Sequence, residues 1–209
     1  MNFLSLFVLI PLLMTCAMFL TKDIRRIRAI MVVGASLLLG LSVALVAMYL
    51  GERSAGNGAE MLFTADAVWY APLNIHYSVG VDGISVAMLL LSSVIVFTGV
   101  FASWKMSPLP REFFAWFSLL SIGVFGFFIS IDLFTMFMFY EVALIPMYLL
   151  IGVWGTGRKE YSAMKLTLML MGGSALLLVG ILGIYFHSAP EGGQLSMNIL
   201  EISKHTIPM

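Results

Sequence analysis

Apolar residues run along this chain in long unbroken blocks, and short polar stretches punctuate them. A helix needs about 20 apolar residues to cross about 30 Å of hydrocarbon at about 1.5 Å per residue. By that measure the pattern predicts six spans, over residues 2–20, 29–50, 84–104, 113–131, 133–153 and 161–187. The blocks show no strand alternation, and in lipid only a helix or a closed barrel satisfies its own backbone. All six are therefore expected to be helices of an all-α polytopic membrane protein. One connection is long: residues 51–83 open with "GERSAGNGAE", expected to be a mobile loop. They close with "WYAPLNIHYSVGVDG", whose Trp69, Tyr70 and Tyr77 suit the headgroup layer. Asp82, directly before the third span, reads as a helix N-cap rather than a proton or ion site. Small residues at Ser36, Gly40 and Ala44, and the pairs Gly123/Gly126 and Gly172/Gly173, are expected to let helix backbones approach closely.

Composition narrows the class without changing it. With 61% hydrophobic and 11% charged residues and a mean hydropathy of +1.02, the chain cannot present a charged face to water all round. Its expected partner is the lipid bilayer and not nucleic acid. No basic residue precedes the first apolar block, so that block reads as a retained span and not a cleaved secretory signal. "LMTC", ending at Cys16, misses a lipoprotein cleavage pattern because Thr15 stands where a smaller residue is expected. A single cysteine permits no internal disulfide, and Cys16 reads as a small buried apolar residue.

Net charge is zero, yet the basic residues are unevenly placed. Lys22, Arg25, Arg26 and Arg28 follow the first span, Lys105 and Arg111 the third, and Arg158 and Lys159 the fifth, which is eight of the 11. The connection after the second span holds Glu52, Glu60, Asp66 and Asp82 against Arg53 alone. By the positive-inside rule the basic connections are cytoplasmic, so the N-terminus and the tail ending at Met209 are expected outside. The polar end after "HTIPM" reads as a cut inside a longer protein as much as a natural end.

Candidate chemistry is sparse. "GVWGTGRKE" spaces Gly152 and Gly157 like a phosphate loop, but Arg158 and Lys159 stand where Lys and Ser or Thr are required and no strand precedes them. His76, His187 and His205 lack metal-ligand spacing and read as solvated. Neither a dinucleotide fingerprint nor a cysteine cluster nor a bis-histidine haem pattern appears, so no cofactor is expected in this chain. The exception is "FMFYEVALIPMYLLIGVWG", residues 137–155, where Glu141 sits in an apolar run with no basic residue within a turn. Nine residues from Asp132 place it about 13 Å deep, and eleven more to Gly152 leave about 16 Å on the other side. A charge at mid-membrane costs about 2.5–3.5 kcal/mol on insertion scales, so it calls for a partner, a proton or a role. Desolvation pulls such a carboxyl toward its neutral form and a nearby cation toward its charged one. Lys165, the second intramembrane charge, lies about 6 Å in from the other edge and is offset axially from Glu141 by about 10 Å. It reads equally as a snorkelling lysine or a relay. Pro146 has no N–H for the carbonyl of Val142, so a bend or a water beside Glu141 is expected.

These residues carry a resemblance. "FYEVALIPMYLLIGVWG", then "RKEYSAMKL", with "GVDGIS" before the third span, resembles the chain M family, the antiporter-type membrane subunits of bacterial NADH:quinone oxidoreductase (respiratory complex I) and counterparts of mitochondrial subunit 4. The likeness covers all 209 residues in spacing and is most specific from Phe137 to Leu166. The resemblance implies that Glu141 is the fifth-helix glutamate of proton translocation and Lys165 the sixth-helix lysine. It implies a longer bundle built on two inverted repeats, of which this chain would hold three leading helices (1–111), the first part of the proximal repeat (112–187) and a polar tail (188–209). A seventh-helix lysine, the implied partner of Glu141, would then lie downstream. NADH, FMN, iron-sulfur clusters and quinone are implied in partner chains, with L-like and N-like antiporter-type subunits as neighbours in the bacterial inner membrane. Two other classes stay open: a subunit of a multisubunit sodium/proton antiporter, and a truncated noncatalytic membrane scaffold.

Overall fold

The computed structural model describes residues 3–21, 23–70, 75–188 and 195–203; Lys22, His205 and Met209 lie outside them. A 3-10 turn at Phe3–Ser5 leads into α1 (Leu6–Leu20), followed by α2 (Ile24–Ser54), strands β1 (Leu62–Tyr70) and β2 (Ile75–Val81), then α3 (Gly83–Ala102), α4 (Pro110–Ile129), α5 (Leu133–Trp154), α6 (Lys159–His187) and the short α7 (Ile199–Ile202). Among the described residues six helices are long and apolar enough to cross a membrane, as the hydrophobic blocks predict. The ends differ where polar residues cap or extend a helix. Asp23 accepts the Arg25 N–H at 3.1 Å and starts α2 five residues before its apolar block. The resulting 31 residues span about 46 Å, so both charged ends project beyond the hydrocarbon. Asp82 caps α3, accepting the Ser85 N–H at 2.7 Å.

α1 to α4 share one core. Phe7 and Met18 of α1, Met31 and Leu38 of α2, Leu89 of α3 and Phe114 and Phe125 of α4 are fully or almost fully enclosed. α5 packs on α4, and α6 on α5. The contact between α4 and α5 depends on the predicted glycine pair: a Cβ at Gly123 would stand 2.7 Å from the Ala143 Cβ and 2.8 Å from the Phe139 carbonyl, and one at Gly126 would run into the Phe139 ring. The other small-residue sites behave differently. Ser36, Gly40 and Ala44 lie on the exposed face of α2, and nothing described lies within 4 Å of a Cβ added at Gly40, Gly172 or Gly173. The close approach of α2 to α1 is instead at Gly34, against the Met14 side chain. Cys16 is exposed rather than buried, because α1 turns Phe7, Pro11, Met14, Thr15 and Met18 inward and position 16 falls on the opposite arc.

The connections sort to two ends. At one, Arg111 Nη2 donates to the Phe19 carbonyl at 2.9 Å, the Arg28 guanidinium lies 5.2 Å from the Trp104 ring centre, and Trp154 Nε1 donates to the Pro108 carbonyl at 2.6 Å. The three basic connections therefore share this end. At the other lies a hairpin that the hydrophobic pattern did not predict. β1 and β2 pair antiparallel with Asp66 opposite Ser78 and Val68 opposite His76. Their aromatic and β-branched residues suit a half-buried strand pair. β2 buries Ile75, Val79 and Val81 on the bundle, while Trp69 and Tyr70 of β1 stay exposed.

Candidate functional site

The N-terminus of α5 is held from two sides. The Ile131 N–H donates to the Ser78 carbonyl on β2 at 2.9 Å, and Thr135 Oγ1 donates to the His76 carbonyl at 3.0 Å. From the opposite side Leu133 N–H reaches the Met197 carbonyl at 3.0 Å, and Ile199 N–H reaches the Ile131 carbonyl at 3.2 Å. Between them Asp132, 1% exposed, accepts the Thr135 N–H at 2.9 Å and caps the helix. Burial raises its carboxyl above the ordinary 3.8, against the hydrogen bonds from Thr135, which favour the charged form. Its second oxygen, Oδ2, is enclosed without a hydrogen-bond partner. Sequence reasoning passed over Asp132; the cap spacing Asp-x-x-Thr was the available signal.

From this anchor α5 runs unbroken through Pro146, which is buried. Met138, Glu141, Val142, Ile145 and Tyr148 form one stripe at helical spacing. That stripe and Thr167 and Met171 of α6 line a cavity of about 420 Å3. Glu141 Oε1 is enclosed there without a hydrogen-bond partner. A buried acceptor left unsatisfied costs about 1–3 kcal/mol, more when charged, so this is an unusual place for a purely structural carboxyl.

Lys165 is not brought to this cavity. It is two residues from Thr167, about 200° round α6, and it is exposed. Among the described residues it forms no ion pair; the pairs present are Arg26 with Asp23 and His76 with Asp66. Much of α6 is left uncovered, with Leu168, Met169, Leu176 and Val179 all above 60% exposed.

His76 is tied to a carboxylate rather than freely solvated, while His187 stays exposed as expected. His76 Nδ1 lies 2.7 Å from Asp66 Oδ2, while Ser78 donates to the other oxygen of the same carboxylate. Burial works to raise the Asp66 carboxyl, but the Ser78 and His76 hydrogen bonds and the His76 charge together hold it below 3.8. His187 Nδ1 bonds the Gly183 carbonyl at 2.8 Å. No group of three or more metal-ligating side chains occurs among the described residues.

The described residues thus form six candidate membrane spans with an enclosed carboxyl oxygen on the fifth. The structure matches a chain of respiratory complex I from Thermus thermophilus with bound NADH at a TM-score of 0.80 and 22% identity, over 98% of this chain and 40% of that one. Residues 130–206, which include Glu141 and Lys165, match the family described as NADH:quinone oxidoreductase/Mrp antiporter, TM. The chain is also similar to curated chain 4 and M subunits of quinone oxidoreductases. It is 30% identical over 206 residues to NAD(P)H-quinone oxidoreductase chain 4 1 of Synechococcus sp. (strain JA-2-3B'a(2-13)), covering 99% of this chain and 38% of that protein. It is 34% identical over 125 residues to NADH-quinone oxidoreductase subunit M of Rhodobacter capsulatus, covering 60% of this chain and 24% of that protein. The chain thus spans well under half the length of these curated relatives.

Proposed function

We propose that this chain is part of a proton-translocating membrane subunit of an NADH:quinone oxidoreductase, coupling quinone reduction elsewhere in the assembly to proton transport. The observation that carries the reading is the unpartnered Glu141 Oε1 facing a cavity between α5 and α6. A carboxyl in that position exchanges its proton when a cation approaches or withdraws, which is what a mid-membrane switch requires. The cavity beside the Glu141 carboxyl has room for water to deliver the proton. Lys165 acts as a charge relay toward the end bearing the basic connections. Pro146 has no N–H to give the Val142 carbonyl, so that acceptor beside Glu141 lacks its helical donor.

In this reading residues 1–111 are the leading helices, 112–187 begin the proximal repeat and 188–209 form the tail. NADH, FMN, iron-sulfur clusters and quinone belong to partner chains, and L-like and N-like subunits lie alongside. The chain sits in the bacterial inner membrane with its N-terminus outside and its basic connections cytoplasmic. Pumping is assigned to the complete assembly. Glu141→Gln in that complex is expected to abolish or severely reduce both proton pumping and coupled NADH oxidation; near-normal values for both defeat the proposal.

The matched family description also names Mrp antiporters, which supports a second reading as a sodium/proton antiporter subunit. Genes for NADH dehydrogenase chains beside this one favour the first reading, and genes for antiporter chains the second. Proton flux through vesicles holding these 209 residues alone would contradict a purely structural scaffold.

A further inference from the structure

A second cavity, of about 400 Å3, lies between the end of α1 and the start of α4, away from Glu141. Its walls include Phe19, Ala115, Trp116 and Leu119, and Arg111 and Glu112 stand at its mouth. These two opposite charges are adjacent in sequence, so on the helix they diverge by about 100° and do not face each other. Arg111 gives Nη2 to the Phe19 carbonyl and has further guanidinium donors to offer. Glu112 is exposed, and neither residue enters an ion pair among the described residues. Both sit in the first turn of α4, at the end where the basic connections gather, with Trp116 about one turn deeper. An aromatic at that depth marks the boundary between headgroups and hydrocarbon.

We propose that this groove binds a zwitterionic aminophospholipid of the phosphatidylethanolamine class. The phosphate takes the free donors of Arg111, the ammonium gives its N–H groups to Glu112, and an acyl chain lies along Phe19, Trp116 and Leu119. The charge pattern selects this occupant. A singly anionic headgroup satisfies Arg111 but stands against Glu112. A choline headgroup carries no N–H to donate, and a free phosphate leaves the apolar wall uncovered.

The test is native mass spectrometry of the full 209-residue chain in detergent, with phosphatidylethanolamine, phosphatidylglycerol and phosphatidylcholine of identical acyl chains added in equal amounts. The wild-type chain is expected to retain phosphatidylethanolamine about tenfold over each of the others, the scale of one charge-assisted hydrogen bond. E112Q is expected to erase the preference over phosphatidylglycerol while total retention persists, and A115F to reduce retention of all three by filling the groove. R111Q is expected to lower both phosphatidylethanolamine and phosphatidylglycerol. Because Arg111 also ties α4 to α1, the exposed Glu112 carries the decision if R111Q fails to fold. Equal retention of the three lipids by the wild-type chain, or an unchanged preference in E112Q, overturns the proposal. So does a photocrosslinker at position 115 that captures a protein helix instead of lipid in native membranes. None of these outcomes depends on the role of Glu141.

Discussion

Gly123→Ala tests whether the close approach of α4 and α5 sets the position of the helix that carries Glu141. The added methyl would stand 2.7 Å from the Ala143 Cβ, 2.8 Å from the Phe139 carbonyl and 2.9 Å from the Ala143 nitrogen. Two of these neighbours are backbone atoms, so relief requires the helices to separate, and overpacking of this kind costs about 1–3 kcal/mol. Alanine also gains about 1 kcal/mol of helix propensity over glycine, which opposes the clash. Gly172→Ala supplies the control, because it has the same propensity gain with no described residue within 4 Å of the new Cβ. The difference between the two variants isolates the packing term at about 1–3 kcal/mol. For a chain of this length that is a gap in Tm of about 2–12 °C, at about 2–4 °C per kcal/mol. Gly126→Ala should fall between them, since its obstacle is the Phe139 ring, a side chain that can rotate. The assay is thermal unfolding in detergent followed by helical circular dichroism. Equal Tm values for the alanine variants at 123 and 172 would refute the reasoning, because the α4/α5 contact would then yield without loss.

Two further outcomes follow from the far end of α5. Asp132→Ala removes the cap of that helix and should lower stability by about 1 kcal/mol, whereas Asn keeps an acceptor for the Thr135 N–H and should lose less; equal losses by thermal melting would count against a capping role. The Asp132 carboxyl is raised in the folded state, so the fold binds its proton more tightly than the unfolded chain does. Stability should therefore fall as pH rises from about 3.8 through the raised value and level off above it, and Asp132→Asn should remove that slope. Asp66 has the opposite sign: its lowered carboxyl contributes stability that is present above 3.8 and is lost as pH falls through the depressed value. Protection factors of the β1/β2 amides, which are corrected for the intrinsic pH dependence of hydrogen exchange, should fall on acidification across that window in the wild-type chain and less so in Asp66→Asn.

The difference between what was legible and what was not follows range. The N-caps at Asp23, Asp82 and Asp132 are local, with donor and acceptor two or three residues apart, so each was open to inspection even where it was overlooked. The hairpin was harder, because Leu62–Tyr70 mixes Asp66 with apolar residues and resembles a polar connection until β2 pairs with it. The hold of residues 197 and 199 on residues 131 and 133 joins backbone groups more than 60 positions apart, and no spacing rule reaches that far. Glycine pairs were visible as candidates, but among the described residues Gly123/Gly126 faces a neighbouring helix, whereas none lies within 4 Å of a Cβ added at Gly172 or Gly173.

What the amino-acid order determined alone is what lipid demands of every residue: six apolar lengths matched to the bilayer, helical because an unpaired backbone is intolerable there, with basic residues on alternate connections. It also marked Glu141 as anomalous, since the penalty for a mid-span carboxyl depends on depth, and depth is counted along the chain. Only the tertiary structure decided which arc of each helix faces another. That choice enclosed Glu141 Oε1 in a cavity beside Thr167, sent Lys165 about half a turn away, and set Arg111 and Glu112 over an apolar groove. The bilayer is equally apolar around a helix, so hydrophobicity cannot choose the arc; close packing between specific helices does.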